Sequence, residues 1–283
     1  MDILNRKNLV INMKAIKSVF PGLLLIFMMT MLVGCNKLGV IQEYKYDDSN
    51  YVAGNKAFSS VMNKINIDWI VGNIFIIQSS NHEVIIREET DIDIEEKYKM
   101  HYYFDGSTLN IKFCGSMTLV DYTYKTKNLY VFLPSEINEI EINNVSADIN
   151  VNLVSIVDLD IDNVSGDITI EDSTLKSLEI DNTSGEIMLF KDTVEMCDIS
   201  TVSGNIGLSF ATLPKDMSIE SVSADITLYI TDKDSLAIEF ETVSGKVKSN
   251  LEYEKEKDIY IFYSKDKIFE VETVSGDMIV NKK

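Results

Sequence analysis

The sequence predicts an all-β chain: a single-chain parallel β-solenoid of coils about 19 residues long, preceded by an N-terminal signal helix. Three observations carry this. A short corner motif recurs seven times between residue 140 and the end, residues on either side of it alternate apolar and polar, and a basic, then apolar, opening segment runs up to Cys35.

The repeats fix the architecture. Aligned on serine, the corners are Val145-Ser146-Ala147-Asp148-Ile149, Val164-Ser165-Gly166-Asp167-Ile168, Thr183-Ser184-Gly185-Glu186-Ile187, Val202-Ser203-Gly204-Asn205-Ile206, Val222-Ser223-Ala224-Asp225-Ile226, Val243-Ser244-Gly245-Lys246-Val247 and Val274-Ser275-Gly276-Asp277-Met278. The serines lie 19, 19, 19, 20, 21 and 31 residues apart. A near-constant short period means stacked units, each too small to bury its apolar face alone. Before each corner Leu159-Asp160-Ile161-Asp162 and Leu178-Glu179-Ile180-Asp181 alternate with period two, and Ile168/Ile170 or Ile187/Leu189 do so after it. Period two is the strand signature. Seven coils at the ladder spacing of about 4.8 Å make a stack of roughly 34 Å.

The corner residues have a structural reading. A small residue after each serine fits tight packing; because Ala147 and Ala224 stand where the other copies have glycine, positive φ is not required throughout. The serine hydroxyl can satisfy a nearby backbone group. No Gly-x-Ser-x-Gly elbow is present, and His82 and His101 both lie outside the repeats. No catalytic, cofactor-binding or metal-ligating residue is therefore nominated, and the chain is expected not to be an enzyme.

Residues 61–139 read as less regular, capping coils of a domain spanning 61–283, with the regular repeats at 140–283. Ile65 to Trp69, Asn73 to Ile77, Leu109 to Phe113 and Leu129 to Leu133 have strand character, and Val71-Gly72-Asn73-Ile74 is a degenerate corner. The long last interval holds a charged insertion near 250–268, expected as a hairpin leaving the stack before the final coil.

Upstream, Arg6, Lys7, Lys14 and Lys17 precede Leu23-Leu24-Leu25-Ile26-Phe27-Met28-Met29 and the ending Leu32-Val33-Gly34-Cys35. Residues 1–34 read as a secretory signal, too short to be taken first as a membrane span; Met13 would open a compact version of it. The ending resembles a bacterial lipobox, which implies acylation of Cys35 and a membrane partner through that lipid. Residues 35–60 are then expected to act as a polar tether. Cys114 and Cys197 are read as buried free thiols.

Charge narrows the partners. The chain has 26 Lys+Arg against 45 Asp+Glu, a formal net charge of -19. Removal of residues 1–34 takes away four bases and one acid, leaving 22 against 44. So acidic a surface argues against nucleic acid. Five residues before the corner serines stand Glu141, Asp160, Glu179, Asp198, Ser218, Glu239 and Glu270; three before stand Asn143, Asp162, Asp181, Ser200, Glu220, Glu241 and Glu272. Two acidic rows are expected on one face, either keeping sheets apart or weakly attracting cations such as Ca²⁺.

The Leu133-Pro134 step, the Val-Ser-Gly-Asp-Ile corners and the terminal Thr273-Val274-Ser275-Gly276-Asp277-Met278 resemble the putative-adhesin β-solenoid family of bacterial envelope proteins, a domain family of unknown function. The resemblance implies a surface-anchored, non-enzymatic adhesion or interaction module with an envelope protein or glycan as ligand. An envelope-stress sensor or scaffold is the alternative it implies. A polysaccharide-active β-helix enzyme is the third reading, opposed by carboxylates that recur in every coil.

Overall fold

The computed structural model describes residues 43–60, 62–80, 82–120, 127–134 and 137–283. The expected signal segment 1–34, Cys35 and residues 36–42 of the expected tether lie outside the described residues.

Within the described part the chain is a stack of two-walled coils. In a typical coil a nine-residue strand such as Ser155–Asn163 builds the first wall. The chain turns at the Val-Ser-Gly corner, and a four-residue strand such as Ile168–Glu171 builds the second. Each wall pairs in parallel with the same wall of the next coil: Leu159 with Leu178, Ile168 with Ile187. A second corner closes the coil with Leu153, Asp172 or Lys191 at φ of 57°, 50° and 60°. These left-handed positions carry no glycine, so nothing in composition announces them.

The interior is a set of ladders. One runs Ile111, Ile67, Ile142, Ile161, Ile180, Ile199, Ile219, Val271, Phe240 across nine coils. All nine side chains are buried. Full burial of such a side chain contributes about 1.5–3 kcal/mol, so repetition of one apolar position per wall builds the core.

Stacking order departs from chain order at both ends. In space the coils run 108–133, 64–78, 137–152, 155–171, 174–190, 193–209, 216–230, 268–282 and 236–249. Strand Lys64–Gln78 pairs with Ile137–Asn152 on one side and with Thr108–Lys112 and Asn128–Leu133 on the other. At the far end Ile268–Ser275 pairs with both Asp216–Ser223 and Leu236–Thr242. The last copy in sequence thus sits between the fifth and sixth copies, with both edges paired.

This corrects the hairpin expected near 250–268. Strand Ile259–Phe262 runs antiparallel along Leu236–Thr242, and Glu254–Glu256 pairs outside it. The insertion covers the first-wall edge of the terminal coil because Ile261 and Phe262 are apolar enough to be buried there. The opposite end is closed in the same manner: Val84–Glu89 and His101–Phe104 lie antiparallel to the two walls of coil 108–133. Antiparallel strands thus cap both walls at one end and the first wall at the other, ending parallel ladders that would otherwise template association.

Residues 43–60, expected within a polar tether over 35–60, instead pair with the stack. Glu43–Tyr44 pairs with Thr118–Leu119, Val52–Ala53 with His101 and Tyr102, and Lys56–Phe58 with Val84 to Ile86. The reason is aromatic. Tyr44, Tyr46, Tyr51 and Tyr103 form a run of edge and tilted contacts, Phe58 is buried against Tyr102 and Phe104, and the Tyr46 hydroxyl donates to the Cys114 carbonyl at 2.9 Å.

Candidate functional site

Every polar row of the repeats has a place in the stack, and most of them join coils. The corner serine hydroxyls of Ser165, Ser184 and Ser203 donate to the carbonyls of Val145, Val164 and Thr183, one coil back, at 3.2–3.3 Å. They satisfy a neighbouring coil, where a turn motif satisfies its own backbone. The acidic residue two after the serine accepts the N–H of its counterpart in the next coil. Asp167 N–H donates to Asp148, Glu186 N–H to Asp167 and Asp277 N–H to Asp225, at 2.8–2.9 Å. Lys246 N–H donates to Asp277, and beyond Lys246 no described coil follows.

The small corner residue answers to close approach. A Cβ at Gly185 would lie 2.1 Å from the Gly166 carbonyl oxygen, and one at Gly204 2.0 Å from that of Gly185. Both glycines also have positive φ, of 120° and 114°, so these corners combine the two demands.

A buried polar ladder was not anticipated. Two residues before each serine, Asn144, Asn163, Asn182 and Thr201 point inward and are nearly inaccessible. Asn144 Nδ2 donates to Asn163 Oδ1 at 2.7 Å, and Asn163 to Asn182 at 2.9 Å. Each amide also donates to the small corner residue's carbonyl: Ala147, Gly166 and Gly185 at 2.6, 2.9 and 3.0 Å. Its signal was present, a polar residue breaking the inward alternation at one fixed offset.

The register brings the two acidic rows together as expected. One reads Asn110, Asn66, Glu141, Asp160, Glu179, Asp198, Ser218, Glu270, Glu239, the other Lys112, Asp68, Asn143, Asp162, Asp181, Ser200, Glu220, Glu272, Glu241. At the first end lysines meet them, with Lys112 on Asp68 and Lys64 on Glu139 and Glu141 at 2.7 Å. The Lys64 hydrogen bond holds Glu141 below its ordinary range. In the middle, partial burial and then the charge of Glu179 and Asp162 push Asp160 up to about 6; Glu179, Asp181 and Asp198 are raised for the same reasons. Among the described residues no group of three or more His, Cys, Asp or Glu is arranged to hold a metal ion.

The outer face of the second wall differs in chemistry. Its rows read Tyr130, Phe75, Asn150, Thr169, Met188, Gly207, Thr227, Ile279, Lys248 and Phe132, Ile77, Asn152, Glu171, Phe190, Ser209. Charge enters these rows only at Lys248 and Glu171. Phe75 and Tyr130 stack at 4.8 Å and 16°, and Tyr130 lies near-parallel to Phe132 at 6.2 Å. Arg87 stands opposite Tyr130, and an open cleft of about 430 Å³ beside them is lined by Arg87, Glu88, Glu89, Thr90, Asp91 and Asn128.

Beneath this cleft Lys127 is buried. Its ammonium pairs with Glu88 at 2.7 Å, donates to the Tyr98 and Phe113 carbonyls, and lies 4.1 Å from the centre of the Phe113 ring. Burial lowers its pKa against the pull of Glu88. Cys114 and Cys197 are free and buried, and burial pushes the Cys114 thiol up to about 11. Neither is an activated thiolate.

A single-chain, two-walled β-solenoid with capped ends and coil-joining polar ladders is the class these features define. The chain belongs to the Toastrack DUF4097 family, whose model matches residues 68–281. Solved structures with similar folds include a putative adhesin from Bacteroides fragilis, at 13% identity and a TM-score of 0.48 over 82% of this chain and 97% of that one. A putative cell adhesion protein from Clostridium sporogenes is similar at 15% identity and TM-score 0.42 over 82% and 100% of the two chains. A putative lipid binding protein from Parabacteroides distasonis is similar at 16% identity and TM-score 0.43 over 83% and 98%. No curated protein matches the chain.

Proposed function

We propose that the chain is a non-enzymatic, lipid-anchored β-solenoid that acts as an adhesion or interaction module on the extracytoplasmic side of the bacterial envelope. The observation that carries this is the assignment of the recurrent polar groups. Corner serines, corner carboxylates and inward asparagines are engaged in joining one coil to the next. What remains outward is two extended faces of unlike chemistry, suited to recognition along a length. The names of the similar proteins accord with this reading.

Anchorage rests on Cys35 and the apolar run before it. Two acyl chains on that cysteine suffice for stable attachment. Among the described residues no helix is long and apolar enough to cross a membrane. Seven residues, 36–42, separate Cys35 from Glu43, where pairing to the solenoid begins. Fully extended, seven residues span at most about 25 Å.

Intact mass spectrometry of the protein from membranes tests the anchor. The expected product starts at Cys35 and carries a diacylglycerol, and Cys35→Ser is released from the membrane. A membrane-bound Cys35→Ser chain contradicts the anchor. For the module, the mature chain is immobilised and exposed to envelope extract. Specific retention of a glycan or protein supports it, whereas shortening of an added glycan indicates an enzyme and overturns it.

A further inference from the structure

We infer that the Phe75–Tyr130 end of the second wall is a binding site for a neutral glycan. The inference rests on the interaction-module reading and names the ligand class. Three features converge there. First, Tyr130 stacks on Phe75, and both are only half-buried, so aromatic surface reaches solvent on an otherwise regular wall. Second, Arg87, the only arginine after residue 6, sits across from Tyr130 and pairs with Glu89. Third, Arg87 and Glu89, next to Tyr130 in the sheet, line an open cleft of about 430 Å³, within the size range of small-ligand sites.

A pyranose ring matches this set. Its C–H face lies on aromatic carbon, while its hydroxyls both donate and accept, meeting carboxylates, amides and a guanidinium together. The cleft also offers Asn128 and Asp91, and the wall continues with Asn150 one coil further. Charge selects neutral sugars. Arg87 is paired with Glu89, Glu88 is paired with Lys127, and Asp91 adds a further negative group. An anionic polymer would meet repulsion here, and the acidic first wall offers no aromatic platform.

The test is calorimetric titration of the full chain in detergent with maltohexaose, cellohexaose, chitohexaose and, as an anionic control, polygalacturonate. At least one neutral oligosaccharide should bind and polygalacturonate should not. Tyr130→Ala and Arg87→Ala should each weaken binding about tenfold, while Glu220→Gln on the acidic wall leaves it unchanged. Phe75→Leu, which keeps an apolar side chain at this half-buried position, should weaken it similarly with an unchanged melting temperature, so loss of folding is separable from loss of the site. Absence of binding to all three neutral sugars overturns the proposal. So does binding indifferent to Tyr130, or sedimentation showing this wall buried in a dimer that Tyr130→Ala dissolves. Capture of an envelope protein independent of Tyr130 would leave the module reading standing and remove the glycan assignment.

Discussion

The backbone N–H of Lys246 donates to the carboxylate of Asp277 at 2.8 Å, so the sixth copy of the corner motif rests on the seventh. Every other corner acid with this role serves a coil later in the chain. Asp277→Ala removes the acceptor and the Asp277–Lys248 ion pair. A loss of stability is expected, with faster amide hydrogen exchange at Lys246 and no change at Asp167. Unchanged exchange at Lys246 would contradict the coil order.

Gly185→Ala should be among the most damaging single-methyl additions. The new Cβ meets the Gly166 carbonyl at 2.1 Å in a backbone conformation with φ of 120°. Urea unfolding should show at least about 2 kcal/mol of destabilisation. Gly54→Ala is the control, since Gly54 shares positive φ but has no atom within 4 Å of the added Cβ. Equal losses at the two positions would show that backbone conformation, and not the approach of coils, sets the demand.

Asn163→Leu tests the inward ladder. The substitution leaves the Gly166 carbonyl and one group on each neighbouring Asn without its partner. Unsatisfied buried groups cost about 1–3 kcal/mol each, so a loss of that order or more is expected in the urea midpoint. A neutral or stabilising outcome would mean that apolar packing at this row serves as well as the amides.

How much of this was legible depended on whether a residue's role repeats. The period, the two walls, the inward isoleucines and the acidic rows could be read because each recurs at one offset from the serine. The inward Asn144, Asn163 and Asn182 recur as well, but a polar residue at an inward position becomes meaningful only once register shows the partner above and below it. The second corner was hidden because its left-handed position is held by a different residue type in each coil, Leu153, Asp172 and Lys191, of which only Asp favours a turn. Coil order was hidden because local alternation carries no information on which coil is next. Even so, Lys246 is the one corner in which a basic residue replaces the acid or amide, and it belongs to the coil with none beyond it to support. The pairing of residues 43–60 was hidden because Tyr44, Tyr46 and Tyr51 are scattered among polar residues, and the groups that Tyr46 and Tyr51 meet, Cys114 and Tyr103, lie far along the chain. The Phe75–Tyr130 platform was illegible for a related reason: its halves lie 55 residues apart and meet only through the exchanged order of the first coils.

The acidic wall sets the sign of one pH effect. Asp160 titrates at about 6 in the folded chain against an ordinary 3.8, so the folded state binds this proton more tightly. Its ionised form opposes folding in full above about pH 6, and this penalty is relieved as pH falls from about 6 toward 3.8. Asp160→Asn should therefore be more stable than the parent at pH 7, with the difference shrinking as pH falls and vanishing near pH 4. A difference that grows on acidification would show that Asp160 is held ionised by a partner.

Cross-linking tests the central claim, that the last copy in sequence is inserted between the fifth and sixth. Glu220 pairs in register with Glu272, and Glu272 with Glu241. Adjacent parallel strands lie about 4.8 Å apart, within disulfide reach, whereas two steps are not. Under mild oxidation Glu220→Cys/Glu272→Cys should close a disulfide in the folded protein, and Glu220→Cys/Glu241→Cys should remain reduced. Rapid closure of the 220–241 pair with none at 220–272 would mean that the coils stack in chain order, and would contradict the architecture described.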